Sequence, residues 1–195
     1  MDNSISLFAF DESNHDQIPE FLVGFFSLSE KYVQEGVSKK LIKKGQIDNF
    51  LEFTEPYLDA YYKYCILTQD IKWEFESQVR KLQEQGIKCE LVNLIRSKVI
   101  YSLLYGEPLT ENQTNLYIDG KLNKRQREEI YKTCSSLPTK VKIYYGIDLD
   151  TKIPLVNFSD TIARSLFRRV SNQKNIKPIL EKLVLDEEHY KPIIL

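Results

Sequence analysis

The run Phe21-Leu22-Val23-Gly24-Phe25-Phe26 is apolar at every position except its glycine. Successive side chains of a strand point to opposite faces, so a segment apolar on both faces belongs inside a sheet. Ile5 to Phe10 reads as a preceding strand that ends at Asp11-Glu12-Ser13. The polar run Asn14-His15-Asp16-Gln17, followed by Pro19, supplies a turn. Together the two strands predict an antiparallel hairpin, and an aromatic content of 12% favours a strand-containing fold over a simple helical bundle.

Further elements follow from spacing. Ser29 can cap a helix running through Tyr32, Val33 and Val37 to Ile42, and a shorter helical piece spans Ile47 to Phe53. Ala60 to Leu67 reads as a third strand, with a helix as the competing assignment. Ile71 to Leu104 is helical, with Trp73, Phe75, Val79 and Leu82 assigned to one stripe and Gly86 marking a break or bend. A strand at Asn115 to Ile118, a helix at Lys124 to Ser135, a strand at Val141 to Tyr145 and a helix opening at Asp160 behind a Ser159 cap complete the pattern. The tail, residues 172–195, carries a weak helix near Ile179 to Leu183. The expected organisation is one domain over residues 1–195, with a helical insertion at about 29–58 after the second strand.

Composition narrows the function. The net charge is -1, so contact with nucleic acid would need a local basic patch rather than a basic surface. Cys65, Cys89 and Cys134 are widely spaced and form no CxxC pair, which argues for reduced core thiols and against zinc. The first residues carry no positive leader, and no apolar run approaches a membrane span, so a cytoplasmic location and no membrane contact are expected.

Three aspartates stand where strands end or a helix begins: Asp11 after Leu7-Phe8-Ala9-Phe10, Asp119 after Leu116-Tyr117-Ile118, and Asp160 before Thr161. Taken singly, each has an ordinary use in a turn or cap. Open α/β sheets place their chemistry outside the carboxyl ends of strands. Three carboxylates meeting there would make a hard-oxygen site for Mg²⁺ or Mn²⁺, with Asp150, Asp148 or Glu12 as further ligands. The element order, antiparallel at the start and parallel at the finish, is that of a ribonuclease H-like fold: a mixed five-stranded sheet flanked by helices.

Phe10-Asp11-Glu12-Ser13-Asn14 resembles the Asp-Glu-Ser-Gly opening of the family called domain of unknown function 3800. Leu116-Tyr117-Ile118-Asp119 resembles its central strand with aspartate, and Asp150-Thr151-Lys152 through Asp160 resembles its closing signature. The resemblance spans about residues 5–170 and implies a ribonuclease H-like nuclease. Asp11, Asp119 and Asp160 would be catalytic and metal-binding, assisted by Asp150 and Glu12. Lys121, Lys124, Arg164 and Arg168 would face nucleic-acid phosphates, RNA or DNA. Glu76 and Glu90 on the long helix are undecided candidates for another ligand, and His15 and the tail's His189 have no assigned role. The competing reading keeps the fold but makes the chain an inactive binding or regulatory module, such as a phage- or defence-related interaction protein with a protein partner or a homodimeric assembly.

Overall fold

The computed structural model describes residues 5–13, 18–27, 30–33, 60–109 and 112–195. The expected helices at about 29–58 lie outside these residues except for a single 3-10 turn, Glu30–Val33. Strands β1 (Ser6–Glu12) and β2 (Glu20–Ser27) pair antiparallel, and β3 (Ala60–Leu67) adds antiparallel to β2. Strand β4 (Thr114–Asp119) pairs parallel with β1, and β5 (Val141–Gly146) pairs parallel with β4. The order is β3-β2-β1-β4-β5, the mixed five-stranded sheet expected from the sequence. Pairing with β2 along its whole length settles Ala60–Leu67 as a strand.

Helices cover both faces. On one, α1 (Gln69–Glu84), α2 (Leu91–Leu104) and α3 (Lys124–Thr133) supply Phe75, Ile95, Val99 and Ile130 to a cluster with Phe8, Phe10, Leu116 and Ile118. On the other, α4 (Leu149–Lys152) leads into α5 (Pro154–Ser171), whose Leu155, Phe158, Ile162 and Leu166 pack on Leu7, Ala9, Val23 and Phe25. The rings of Phe25 and Phe158 lie 5.2 Å apart across that interface. The doubly apolar β2 is therefore sealed from both sides.

Gly24 is required by this packing. A Cβ there would stand 2.4 Å from a ring carbon of Phe8, which crosses the strand at that point. Gly86, at φ +77, ends the first helical stretch, so the long segment is two helices rather than one bent helix.

Two sequence assignments are corrected. Trp73 is 57% exposed and does not share the inward stripe of Phe75 and Val79. Two residues along a helix are about 200° of rotation, so positions 73 and 75 face opposite ways. Helix α5 begins at Pro154 rather than Asp160. Proline's fixed φ suits the first helical position, and the apolar residues that follow are already helical and buried. Ser159 is thus inside the helix and caps nothing.

The tail is built into the fold. After α6 (Lys177–Val184) the chain runs beside β3: Tyr64 N–H donates to the His189 carbonyl and Lys191 N–H to the Tyr64 carbonyl, both at 2.8 Å. His189 stacks on Tyr62 at 4.2 Å and pairs with Asp186 at 3.1 Å, a structural role that its sequence position did not signal. Lys191 pairs with Glu107. The tail thereby covers a strand edge that would otherwise be open to pairing. Cys65 and Cys134 are buried free thiols, as expected, and Cys89 is partly exposed. No described helix is long and apolar enough to cross a membrane.

Candidate active site

The register of β1 and β4 sets the first two carboxylates side by side. Phe10 lies opposite Ile118, so the next residues, Asp11 and Asp119, reach the same level at the carboxyl ends of neighbouring strands. Adjacent strands are about 4.8 Å apart. Alternation decides the face. Ala9 and Tyr117 pack under α5, so Asp11 and Asp119, two residues further on, project to that same side.

Asp160 arrives from α5, held there by its neighbour. Ser159 is fully buried, and its Oγ donates to the Val23 carbonyl at 2.9 Å. Val23 is the register partner of Asp11 across the β1–β2 ladder. The helix is therefore tied to the sheet at the level of the first aspartate. Sequence reading missed this role for Ser159, because a serine before an aspartate looks like a helix start.

The electrostatics show that these groups share one environment. The Asp11 carboxyl is pushed up to about 7, chiefly by burial. The Glu12 N–H, which donates to its Oδ1 at 2.8 Å, opposes the rise, and the charges of Asp160, Glu12 and Asp119 add to it. Asp160 is also raised, by burial first. Arg164, whose Nε lies 2.7 Å from its Oδ1, counters that rise, while Asp150 and Asp119 reinforce it. Asp119 accepts the Leu149 N–H at 2.7 Å and so fixes the start of α4, which carries Asp150. Asp148, just before α4, sits at φ 60.

Glu12 is not brought to this side. It projects to the opposite face of the sheet, where its Oε1 meets Arg96 at 2.5 Å. Glu90 at the start of α2 accepts from Asn93 and pairs with Arg125. Among the described residues, no group of three or more His, Cys, Asp or Glu side chains is arranged to hold a metal ion. Asp160 is turned to Arg164 and one oxygen of Asp119 to Leu149. The donor chemistry nevertheless suits a hard cation: oxygen ligands only, partly desolvated, mutually repelling and on three separate elements.

The expected phosphate-facing residues differ in their exposure and pairing. Lys121 is exposed just past the Asp119-Gly120 turn, and Arg168 is exposed one turn beyond Arg164 on α5. Lys124 lies 3.7 Å from Glu128, both highly exposed, so the pair is worth little and leaves the lysine available. Arg164 is held by Asp160. His15 and the basic cluster Lys39, Lys40, Lys43 and Lys44 lie outside the described residues.

No protein-family model matches the chain, and no curated protein matches it. Two solved structures resemble it over nearly its whole length. One is the ribonuclease H2 from Pyrococcus horikoshii OT3, at 16% sequence identity and a TM-score of 0.52, covering 95% of this chain and 80% of that one. The other is the ribonuclease HII of Archaeoglobus fulgidus, in a structure of its complex with PCNA, at 15% identity and a TM-score of 0.49, covering 96% and 81%. Together with the strand order and the helices on both faces, the first likeness establishes a ribonuclease H-like fold for this chain.

Proposed function

We propose that the chain is a metal-dependent nuclease, a phosphodiester hydrolase acting on RNA or DNA, related to the family called domain of unknown function 3800 and working in the cytoplasm. The observation that carries this reading is the placement of Asp11, Asp119 and Asp160 on one side of the sheet's carboxyl edge, within one another's electrostatic field. The likeness to a ribonuclease H2 supports it at the level of fold.

Asp11, Asp119 and Asp160 would hold Mg²⁺ or Mn²⁺, with Asp150 closest to hand as a further ligand and Glu12 able to join only by leaving Arg96. When bound, such a cation acidifies an attacking water and neutralises charge on the leaving oxygen. The chain's own residues do the rest. Burial of Asp11 keeps water from screening the reacting phosphate. Arg164 keeps Asp160 charged and oriented, and can pass to a phosphate oxygen when the substrate arrives. Lys121, Lys124 and Arg168 would contact flanking phosphates and set strand position rather than sequence.

The test is cleavage of end-labelled RNA, DNA and RNA–DNA hybrid in Mn²⁺ or Mg²⁺ and in EDTA, by wild type and Asp119→Asn. Cleavage that needs the metal and falls at least about 100-fold in the variant is expected. Failure to cut any of the three substrates would favour the second reading, a binding module of the same fold acting with a protein partner or as a homodimer. The neutralisation of Asp160 by Arg164 and of Glu12 by Arg96 is the observation behind that alternative.

A further inference from the structure

The sheet ends at β3 on one side and at β5 on the other. The outer edge of β3 carries the tail, through the bonds between Tyr64 and residues 189 and 191. The outer edge of β5 carries no strand among the described residues. Its side chains reach solvent on both faces: Lys142 on the α5 side, and Tyr145, 39% exposed, on the α3 side.

The pairing with β4 tells which backbone groups of β5 are open. Thr114 N–H donates to the Lys140 carbonyl and Gly120 N–H to the Gly146 carbonyl. Bonding direction alternates along a strand, so the even-numbered residues of β5 face β4. Val141, Ile143 and Tyr145 therefore aim both N–H and C=O away from the sheet. Edges that must stay unpaired are blunted by proline, bulges or several charges. Val141–Gly146 has neither proline nor bulge, and its one charge is Lys142.

A second β5 laid antiparallel against this edge has one best register. With Ile143 opposite its own counterpart, Val141 of each copy faces Tyr145 of the other, and all three outward residues exchange hydrogen bonds. Lys142 of each copy then lies beside Tyr144 of the other. Within one chain the Lys142 Nζ is already 4.9 Å from that ring's centroid, so the two groups tolerate contact. Sliding one step toward the strand starts sets Lys142 against Lys142, a like-charge pair. The favoured register also brings exposed Lys140 of one copy near exposed Asp148 of the other. Tyr131, 45% exposed and lining one hollow with Val141, meets the other copy's Tyr145.

We propose that β5 is a homodimer interface, pairing antiparallel with the β5 of a second copy about a two-fold axis at Ile143 and joining two sheets into one. The interface holds whether or not the chain cleaves nucleic acid. It is short, so the dissociation constant falls in the range of about 10–100 μM.

Sedimentation equilibrium of the full chain in EDTA, from about 5 to about 500 μM, tests it. Wild type should pass from monomer to dimer. Tyr144→Lys, which faces Lys142 of the other copy, should weaken the dimer at least about tenfold, and Lys142→Glu with Tyr144→Lys should restore it. Ile143→Pro removes an outward N–H while sparing the ladder to β4, and should remain monomeric with the wild-type circular dichroism spectrum. Asp119→Asn should dimerise as wild type does. In wild type, amide exchange at Ile143 and Tyr145 should slow at least about tenfold from the lowest to the highest concentration, a readout that needs no variant to fold. A monomer at every concentration leaves the edge to a strand of another protein and overturns the proposal. So does a dimer unchanged by Tyr144→Lys, or one whose added protection lies away from β5.

Discussion

Replacing Asp11 with Asn turns the electrostatics of the site into a stability measurement. In the folded, metal-free protein this carboxyl titrates near 7, against an ordinary value of 3.8, first because it is buried and then because Asp160, Glu12 and Asp119 repel its charge. A folded-state pKa raised in this way gives stability that is complete below the unfolded value and is lost as pH rises to the folded one. At 1.36 kcal/mol per pH unit the full loss is about 4 kcal/mol, spread between about pH 4 and pH 7. The part lost between about pH 5.5 and pH 8 is about 2 kcal/mol. Asparagine keeps the side-chain shape, and its carbonyl oxygen can still accept the Glu12 N–H, but it carries no charge at either pH. Urea unfolding in EDTA at the two pH values should therefore show the Asp11→Asn protein gaining about 2 kcal/mol on wild type between pH 5.5 and pH 8. All other titrating groups are common to both proteins and largely cancel. A stability difference that stays constant with pH would refute the idea that Asp11 is held in a desolvated, like-charged site.

Three other perturbations have defined outcomes. Ser159→Ala leaves the buried Val23 carbonyl without its side-chain donor and should cost about 1–2 kcal/mol in chemical denaturation, while weakening metal binding through the loosened α5. Gly24→Ala drives a methyl into the Phe8 ring and should cost about 1–3 kcal/mol by the same assay, with amide exchange rising first in β1 and β2. Truncation after Leu185 removes the strand-like pairing at Tyr64 and the Lys191–Glu107 ion pair, so amide exchange in β3 should speed up by at least about tenfold and the melting temperature should fall.

Much of this architecture is legible in the chain because local patterns agree with the global fold. The doubly apolar β2, the turn residues around Pro19 and the third strand at Ala60–Leu67 fix an antiparallel start, and the alternating strands and helices after Asn115 fix a parallel finish. The three aspartates are visible because they stand at the ends of apolar runs. What the sequence hid is tertiary. Nothing local distinguishes a serine that caps a helix from one, like Ser159, that ties a helix interior to a strand. The pairing of Glu12 with Arg96 joins residues 84 positions apart in the chain. Alternation places Glu12 opposite Asp11, yet the Asp-Glu doublet invites reading both as ligands of one ion. The tail's pairing with β3 lacked a signal because its few hydrogen bonds follow no hydrophobic period.

The claim beneath all of this is that acidic side chains from β1, β4 and α5 cooperate in holding one kind of cation. Calorimetric titration of Mn²⁺ into wild type, Asp11→Asn and Asp119→Asn at about pH 7.5, above the Asp11 pKa of about 7, tests it directly. The account predicts saturable binding to wild type and a loss of at least about tenfold in affinity in each variant. Binding that is absent from all three proteins, or equal in all three, would contradict it.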